Sequence, residues 1–215
     1  MKTLLTMPIS SNIQEENSPI PLESNKNRKK QHIEGIKQVM KMKPIFDRFG
    51  VHVSLCDNTI KPGQKIDKDI TDCFYEGCFL HAIDCNNYGK LNKGAGLIET
   101  WNHQRHDWSN YDFIIHYEPR QIIGNYSFFH EFLNSPANMF SINYSTNPPH
   151  FNTGIFAIET RILESFINSV DLDKMIKDRV SIEYSLYNFI IRNNIPFKTK
   201  EKNGIMSHEP HRGEI

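Results

Sequence analysis

Residues 111–120 read YDFIIHYEPR, an apolar run rich in β-branched and aromatic residues that stops at an acid, a proline and an arginine. Short apolar runs of this kind, bounded by a turn signal, indicate a buried strand, here over 111–117. In open α/β sheets, ligands bind beyond the carboxyl ends of the strands. Glu118 and Arg120, which follow this strand directly, are therefore the first residues to consider as part of a site.

Similar runs and helical patterns alternate along the rest of the chain. Further strands are predicted at 2–9, 51–56, 78–83, 139–144, 151–158 and 195–199, with 78–83 interpreted as buried. Helical patterns run over 33–40, 67–75, 97–101, 126–134, 160–178 and 181–193, and the polar residues 10–30 predict a long loop. The order predicts an α/β fold, a mostly parallel central sheet flanked by helices with a Rossmann-like nucleotide-binding half.

Length and charge narrow the class of protein. The chain has 215 residues, which fits one domain, and 25 basic residues balance 25 acidic ones. This balance favours neither nucleic acid nor an anionic membrane as a partner, and the basic run 26–30 is equally well explained as a solvated helix start. The N-terminal apolar run is too short for a signal peptide or a membrane span, so we expect a cytoplasmic protein without a transmembrane segment, with peripheral association at a membrane left open.

Asp57 follows the second predicted strand. A carboxylate at this position can accept a hydrogen bond from a base edge or a ribose hydroxyl. The alternative is an ordinary turn, since the pair Asp57-Asn58 favours turns in any context.

A glycine-rich segment follows the third predicted strand, and residues 87–96 read NYGKLNKGAG. Glycines allow close approach of the backbone to a ligand, and the helix that follows begins with free N–H groups. The segment is neither a Walker A motif nor a dinucleotide fingerprint, and a purely structural turn is the alternative. Its candidate ligand-binding residues are Asn87, Gly89, Asn92, Lys93 and Gly94.

Glu118 and Arg120 offer complementary chemistry. A carboxylate is a ligand that Mn²⁺ or Mg²⁺ prefers, and it can also bind a sugar hydroxyl. The planar guanidinium of Arg120 matches the geometry of a phosphate. The alternative is an ion pair between the two side chains that closes the turn.

The C-terminal part supplies the remaining candidates. Glu183 is placed for a general base, although an acid in the first turn of a helix also has a structural explanation. His208 and His211 can bind a metal or a phosphate, unless they belong to an exposed tail. The small polar residues 152–154 can shape an acceptor pocket, or simply mark the entry to a strand.

Taken together, these segments resemble glycosyltransferases of the GT-A type. In that family an acid ends the second strand, an Asn-x-Gly segment opens a helix, and the next strand ends in an Asp-x-Asp-like motif that holds a metal. The matching positions are Asp57, residues 87–94 and Glu118, and the resemblance covers about residues 2–200. It implies a nucleoside diphosphate sugar as donor, Mn²⁺ or Mg²⁺ on Glu118 and His208, and an acceptor that is a glycan, a lipid-linked molecule or a protein.

The chain departs from this family pattern at one position. Arg120 stands where the second acid of the motif is expected, so a cation can supply part of the charge that a metal would bring to a diphosphate, and Asp84 is the nearest other acid. The resemblance implies a donor half over 1–120, an acceptor half over 121–215, and Glu183 as the base. A nucleotidyltransferase and a non-catalytic nucleotide-sugar-binding scaffold remain alternatives.

Overall fold

The computed structural model describes residues 1–12 and 22–207. Its strands are β1 Thr3–Ile9, β2 Val51–Asp57, β3 Phe79–Ala82, β4 Phe113–Tyr117, β5 Gln121–Ile123, β6 Met139–Asn143, β7 His150–Glu159, β8 Lys198–Lys200 and β9 Ile205–Ser207. Seven of them form one sheet in the order β3-β2-β1-β4-β7-β6-β8, and β5 pairs with β9 in a separate ribbon. The predicted fold class, an α/β protein with a mostly parallel central sheet, is confirmed.

All strands of the large sheet except one run in the same direction. β7 is antiparallel to both of its neighbours, β4 and β6, and the other pairings are parallel. The carboxyl ends of the remaining strands therefore share one edge, called the carboxyl edge below. On this edge Ile9 of β1 lies opposite Asp57, and Thr6 of β1 lies opposite His116 of β4. By this register Asp57 lies about two residues farther along than Tyr117, the end of β4, and the two strands are two strand spacings or roughly 10 Å apart.

Helices cover both faces of the sheet. They are α1 Leu22–Met40, α2 Lys43–Phe49, α3 Lys68–Thr71, α4 Lys93–Gln104, α5 Ser127–Asn134, α6 Thr160–Ser169, α7 Leu172–Lys177 and α8 Ile182–Arg192, with a 3-10 helix at Arg105–Asn110. Because neighbouring strand residues point to opposite faces, Leu5 and Ile115 pack under α1, α2, α3 and α5, whereas Leu4 and Ile114 pack under α4, α6, α7 and α8. Among the described helices, none has both the length and the apolar character required to cross a bilayer.

Three predicted elements differ from the structure. α1 begins at Leu22, inside the predicted loop, because its polar lysine, arginine, glutamine and glutamate residues are good helix formers. The predicted helix over 160–178 is two helices, since Asp171 caps α7 by accepting a hydrogen bond from the backbone of Lys174. The strand predicted as buried over 78–83 is β3, which forms the edge of the sheet, where Phe79 and Leu80 are 44% and 39% exposed.

Candidate functional site

The candidate site lies on the carboxyl edge where β4 ends and the chain turns into β5. The backbone N–H of Glu118 donates to the carbonyl of Gly154 (2.8 Å), and the N–H of Gln121 donates to the carbonyl of Glu118 (2.9 Å). The hydroxyl of Tyr117 donates to the carbonyl of Gln121 (2.5 Å). These bonds fix the turn that carries Glu118 and Arg120 between β7 and the start of β5.

Helix α1 forms one wall of this turn. A Cβ on Gly35 would lie 1.9 Å from the carbonyl oxygen of Pro119, so only glycine permits this close packing. Farther along the helix, Gln38 accepts a hydrogen bond from the N–H of Ile123 (2.6 Å). Arg28 lies seven residues before Gly35, about two helical turns away and on the same face. The packing of α1 therefore directs Arg28 toward the turn that contains Arg120.

The starts of α4 and α8 form the opposite wall. The hydroxyl of Thr153 on β7 donates to Glu183 Oε1 (3.1 Å), and Thr153 precedes the glycine whose carbonyl binds Glu118. A Cβ on Gly94 would lie 2.8 Å from Ile182 Cβ, so the first turns of α4 and α8 touch. Lys93 and Glu183 thus lie on two adjacent helix starts.

Five charged side chains meet here: Arg28, Lys93, Glu118, Arg120 and Glu183, which we call the Glu118 corner. Burial raises the pKa of Glu118, and Glu183 acts in the same direction, whereas Arg120, Lys93 and Arg28 oppose the shift. Burial, and to a smaller extent the positive charge of Arg120, lower the pKa of Arg28 to about 10, against the opposing effect of Glu118. Three cations and a second carboxylate therefore lie within electrostatic reach of Glu118.

The cations of the Glu118 corner are not neutralised by close partners. Within residues 1–12 and 27–206, none of Arg28, Lys93 and Arg120 forms an ion pair. The Nε atom of Arg28 is buried and has no hydrogen-bond partner among the same residues. Buried polar atoms are nearly always hydrogen-bonded in folded proteins, so this atom points to a missing acceptor. The arrangement is suited to an anionic ligand.

Asp57 is buried and engaged with its own chain. Its carboxylate accepts hydrogen bonds from the hydroxyl of Ser11 and from Thr59, through the N–H (3.1 Å) and the hydroxyl (2.7 Å). Asn58 next to it accepts from Ser10 (2.7 Å) and donates to Thr100 (2.8 Å). Asp57 therefore joins the loops that follow β1 and β2, two strand spacings from β4.

The glycine-rich segment is held mainly by internal contacts. Asn92 accepts hydrogen bonds from the N–H groups of Gly94 (2.9 Å) and Ala95 (3.1 Å), which caps α4. Its amide nitrogen donates to the carbonyl of Val180 (3.0 Å), and the amide of Asn87 donates to Glu99 (2.7 Å). Contacts within the chain thus account for both asparagines.

The glycines of the glycine-rich segment are close-packed, and Lys93 is the residue of the segment that reaches the Glu118 corner. A Cβ on Gly96 would lie 2.5 Å from the Cα of Gly89, so these two backbones touch. Lys93, by contrast, is exposed and interacts electrostatically with Glu118. Of the segment's five predicted ligand-binding residues, Lys93 is the one that the structure places at the Glu118 corner.

The predicted metal site extends beyond the described residues. His208, and also His211, lie outside them, while Ser207 just before pairs with Gln121, the residue after Arg120. In the part of the chain that the structure describes, no group of three or more His, Cys, Asp or Glu side chains can hold a metal ion. Asp84 is exposed and bridges to Thr59 on the β3 side of the edge.

The donor set of the Glu118 corner does not fit a divalent cation. Such an ion requires several oxygen ligands, and the corner offers two carboxylates among three positive side chains that would repel it. Mn²⁺ or Mg²⁺ on Glu118 and His208 stays a prediction that the described residues do not support.

Sequence reasoning missed one residue of this site, Arg28, and did not foresee the contact made by Thr153. Arg28 belongs to the basic run 26–30, which in the sequence is typical of a solvated helix start, and only the packing of α1 on Pro119 shows where it lies. Thr153 is part of the polar trio 152–154, and its hydrogen bond to Glu183 links that trio to the predicted base.

Comparison with known proteins identifies the fold. No family model and no curated protein sequence matches the chain. Among solved structures, it is similar to a proposed nucleotide-diphospho-sugar transferase from Desulfovibrio desulfuricans G20, with a TM-score of 0.54 and 8% identity over 93% of this chain and 80% of that one. At this identity the likeness shows the fold, and the resemblance to GT-A-type glycosyltransferases is confirmed at that level.

Two further structures match less well. Mouse xyloside xylosyltransferase 1 gives a TM-score of 0.47 at 8% identity, over 93% of this chain and 84% of that one. Mannose-1-phosphate geranyltransferase from Thermus thermophilus gives 0.44 at 10% identity, over 93% and 73%.

Proposed function

We propose that this protein is a glycosyltransferase that moves a sugar from a nucleoside diphosphate sugar to an acceptor. The observation that carries the proposal is the Glu118 corner, in which two carboxylates meet three cations without close partners among the described residues, at the carboxyl edge of a GT-A-type fold. Ligands of such sheets bind at this edge, and a diphosphate is the anion that a donor of this class brings.

The donor has a natural orientation on this edge. Its diphosphate lies against Arg120 and Lys93, because their positive charges complement the phosphates. Its nucleoside extends along the edge toward Asp57 and the glycine-rich segment, where Asn87, Gly89, Asn92 and Gly94 shape the wall. Glu118 accepts a hydrogen bond from a donor-sugar hydroxyl. Stabilising the charge that develops on the departing diphosphate is the main electrostatic task of such a site.

Glu183 is the proposed general base on the acceptor side. Its carboxylate is held by the hydroxyl of Thr153 (3.1 Å) and is therefore oriented before any ligand binds. As the acceptor hydroxyl attacks the anomeric carbon, its proton passes to Glu183 and the electron pair of the broken bond leaves with the diphosphate. The acceptor, a glycan, a lipid-linked molecule or a protein, would contact the half formed by residues 121–215.

A panel of nucleotide sugars tests this function. We expect a UDP-, GDP- or dTDP-sugar to raise the melting temperature by mass action, and candidate acceptors to release the nucleoside diphosphate. Release of pyrophosphate, when a sugar phosphate and a nucleoside triphosphate are supplied, would instead identify a nucleotidyltransferase. No stabilisation by any nucleotide, with or without Mn²⁺, would contradict the proposal and favour a scaffold.

Glu183→Gln separates catalysis from binding. Because the amide keeps the size of the side chain and a hydrogen-bond acceptor for Thr153, we expect unchanged donor affinity and a transfer rate lower by about 100-fold. A variant that transfers at the wild-type rate would remove Glu183 from the mechanism and leave donor binding untouched.

A further inference from the structure

We propose that the Glu118 corner binds the diphosphate of the donor through Arg28, Lys93 and Arg120, without a divalent cation. This inference rests on the proposed function and adds to it the means by which the diphosphate is neutralised. It also assigns a ligand-binding role to Arg28, on a helix outside the segments that carry the family resemblance.

The position of Arg28 is the first argument. Helix α1 is fixed against the β4–β5 turn at two points, through Gly35 against Pro119 and through Gln38 bound to Ile123. Arg28 lies on the same face of α1, two helical turns before Gly35. Its Nε is buried without an acceptor among the described residues. Since an unbonded buried donor is costly, an oxygen atom of a ligand is the acceptor that this position lacks.

The grouping of like charges is the second argument. Arg28 and Arg120 lie close enough to repel each other, and Lys93 approaches the same carboxylate from the start of α4. Three cations beside two carboxylates leave an excess of positive charge, which an anionic ligand would offset. Guanidinium groups form paired hydrogen bonds with phosphate oxygens, so two arginines and a lysine suit a diphosphate.

The carboxylates support the same conclusion. A divalent cation between a protein and a diphosphate is held by oxygen ligands, and the corner supplies two carboxylates, Glu118 and Glu183. Glu183 already accepts a hydrogen bond from Thr153, and Glu118 stands among the three cations. The corner thus carries the positive charge on its own side chains, where a metal-dependent site would carry it on the ion.

Calorimetric titration of the full chain with UDP, GDP, CDP and dTDP tests the inference, first in EDTA and then in MnCl₂. We expect at least one of these nucleotides to bind in EDTA, with a Kd that changes by no more than about twofold in MnCl₂. Binding that requires Mn²⁺ would overturn this inference and leave the proposed function standing. No binding of any nucleotide under either condition would overturn both.

Methionine variants identify the groups involved, because methionine keeps the apolar stem and removes the charge. In EDTA we expect Arg28→Met and Arg120→Met to weaken binding by at least about tenfold and Lys93→Met by about threefold. The matched control is Arg161→Met, since Arg161 is 82% exposed, pairs with Glu159 and lies at the opposite edge of the sheet. Wild-type affinity in both arginine variants would overturn the inference.

Glu118→Gln distinguishes the two ways of holding a diphosphate. If cations alone bind it, loss of the carboxylate charge leaves the affinity unchanged or increases it, whereas loss of a metal ligand abolishes the effect of Mn²⁺ and weakens binding. Melting temperatures without ligand show whether each variant is folded. Should Arg28→Met not fold, Arg28→Lys keeps the charge without the paired donors, and we expect about threefold weaker binding. Unchanged affinity in Arg28→Lys would count against a role for this arginine.

Discussion

The glycine-rich segment and the Glu118 corner lie on the same edge of the sheet, yet their polar groups differ in how far they are bonded within the chain. In the segment, Asn92 caps its own helix and Glu99 binds Asn87, so the chain supplies the partners. In the corner, three cations lack close partners and one buried nitrogen lacks an acceptor within the described part of the chain. The family resemblance gives both regions a role in binding. The structure shows which of them has bonding capacity left for a ligand.

Arg120→Met should produce the largest change if this comparison holds. Removing a cation that faces the departing diphosphate should lower kcat/KM for transfer by about 100-fold or more, equivalent to about 3 kcal/mol. The measurement is the rate of nucleotide release, with Arg161→Met as the matched control. Equal rates in the two variants would mean that the corner is not the reacting end of the site.

Gly96→Ala tests the structural character of the glycine-rich segment. The added methyl would lie 2.5 Å from the Cα of Gly89, so either α4 or the backbone at Gly89 must shift. We expect a loss of about 3 kcal/mol in the free energy of unfolding, or a melting temperature lower by about 6–12 °C. The control is Gly63→Ala, at φ +83° in open space, where about 1 kcal/mol is expected. Wild-type stability of Gly96→Ala would contradict the packing argument.

His116 lies beneath both regions, two residues before Glu118 and in contact with Trp101 of α4 (5.3 Å between ring centroids). Burial lowers its pKa from 6.5 to about 3. In the unfolded chain His116 binds a proton below pH 6.5, whereas in the folded protein it stays neutral down to about pH 3. The free energy of unfolding therefore falls as the pH falls through this window.

The variant His116→Phe should remove this dependence, since phenylalanine suits the stacked contact with Phe156. Between pH 7.5 and 5.0 we expect the wild type to lose about 2 kcal/mol more than the variant, at about 1.4 kcal/mol per pH unit below 6.5. Urea unfolding at the two pH values measures the difference. Parallel losses in both proteins would contradict the lowered pKa of His116 in the folded state.

Asn92→Ala should give the smallest effect of these variants. It distinguishes the two regions most clearly, because it should lower stability without changing nucleotide affinity. Loss of the cap and of the bond to Val180 should lower the free energy of unfolding by about 1–2 kcal/mol. Nucleotide affinity should stay within about twofold of the wild type, because Asn92 is already used by the chain. A fall in affinity comparable to that of Arg120→Met would restore Asn92 as a ligand-binding residue.

Much of the sheet could be predicted because its signals are local. Runs such as 51–56 and 111–117 are apolar and β-branched over most of their length, and their ends coincide with turn residues. The alternation with helices then predicts parallel pairing. The place of Glu118 on the same edge as Asp57 follows from that pairing, and the register confirms the shared edge.

The composition of the site depended on contacts that the sequence does not display. α1 begins earlier than predicted because its first turns have helix propensity without apolar periodicity. Arg28 reaches the corner only because Gly35 lets the helix approach Pro119. β5 and β9 are three residues each, too short to give a pattern, and they are recognised only through their mutual pairing.

The pairing of β5 with β9 has a consequence for how the protein is made. β5 follows Arg120 directly, but its only strand partner among the described residues is Ile205–Ser207, near the far end of the chain. During translation, β5 leaves the ribosome long before β9 is synthesised. Until then the backbone groups of β5 that bond β9 in the folded protein lack this strand partner. Part of the core depends on the same step, because Ile123 of β5 and Ile205 of β9 are both buried in the apolar cluster beneath α1.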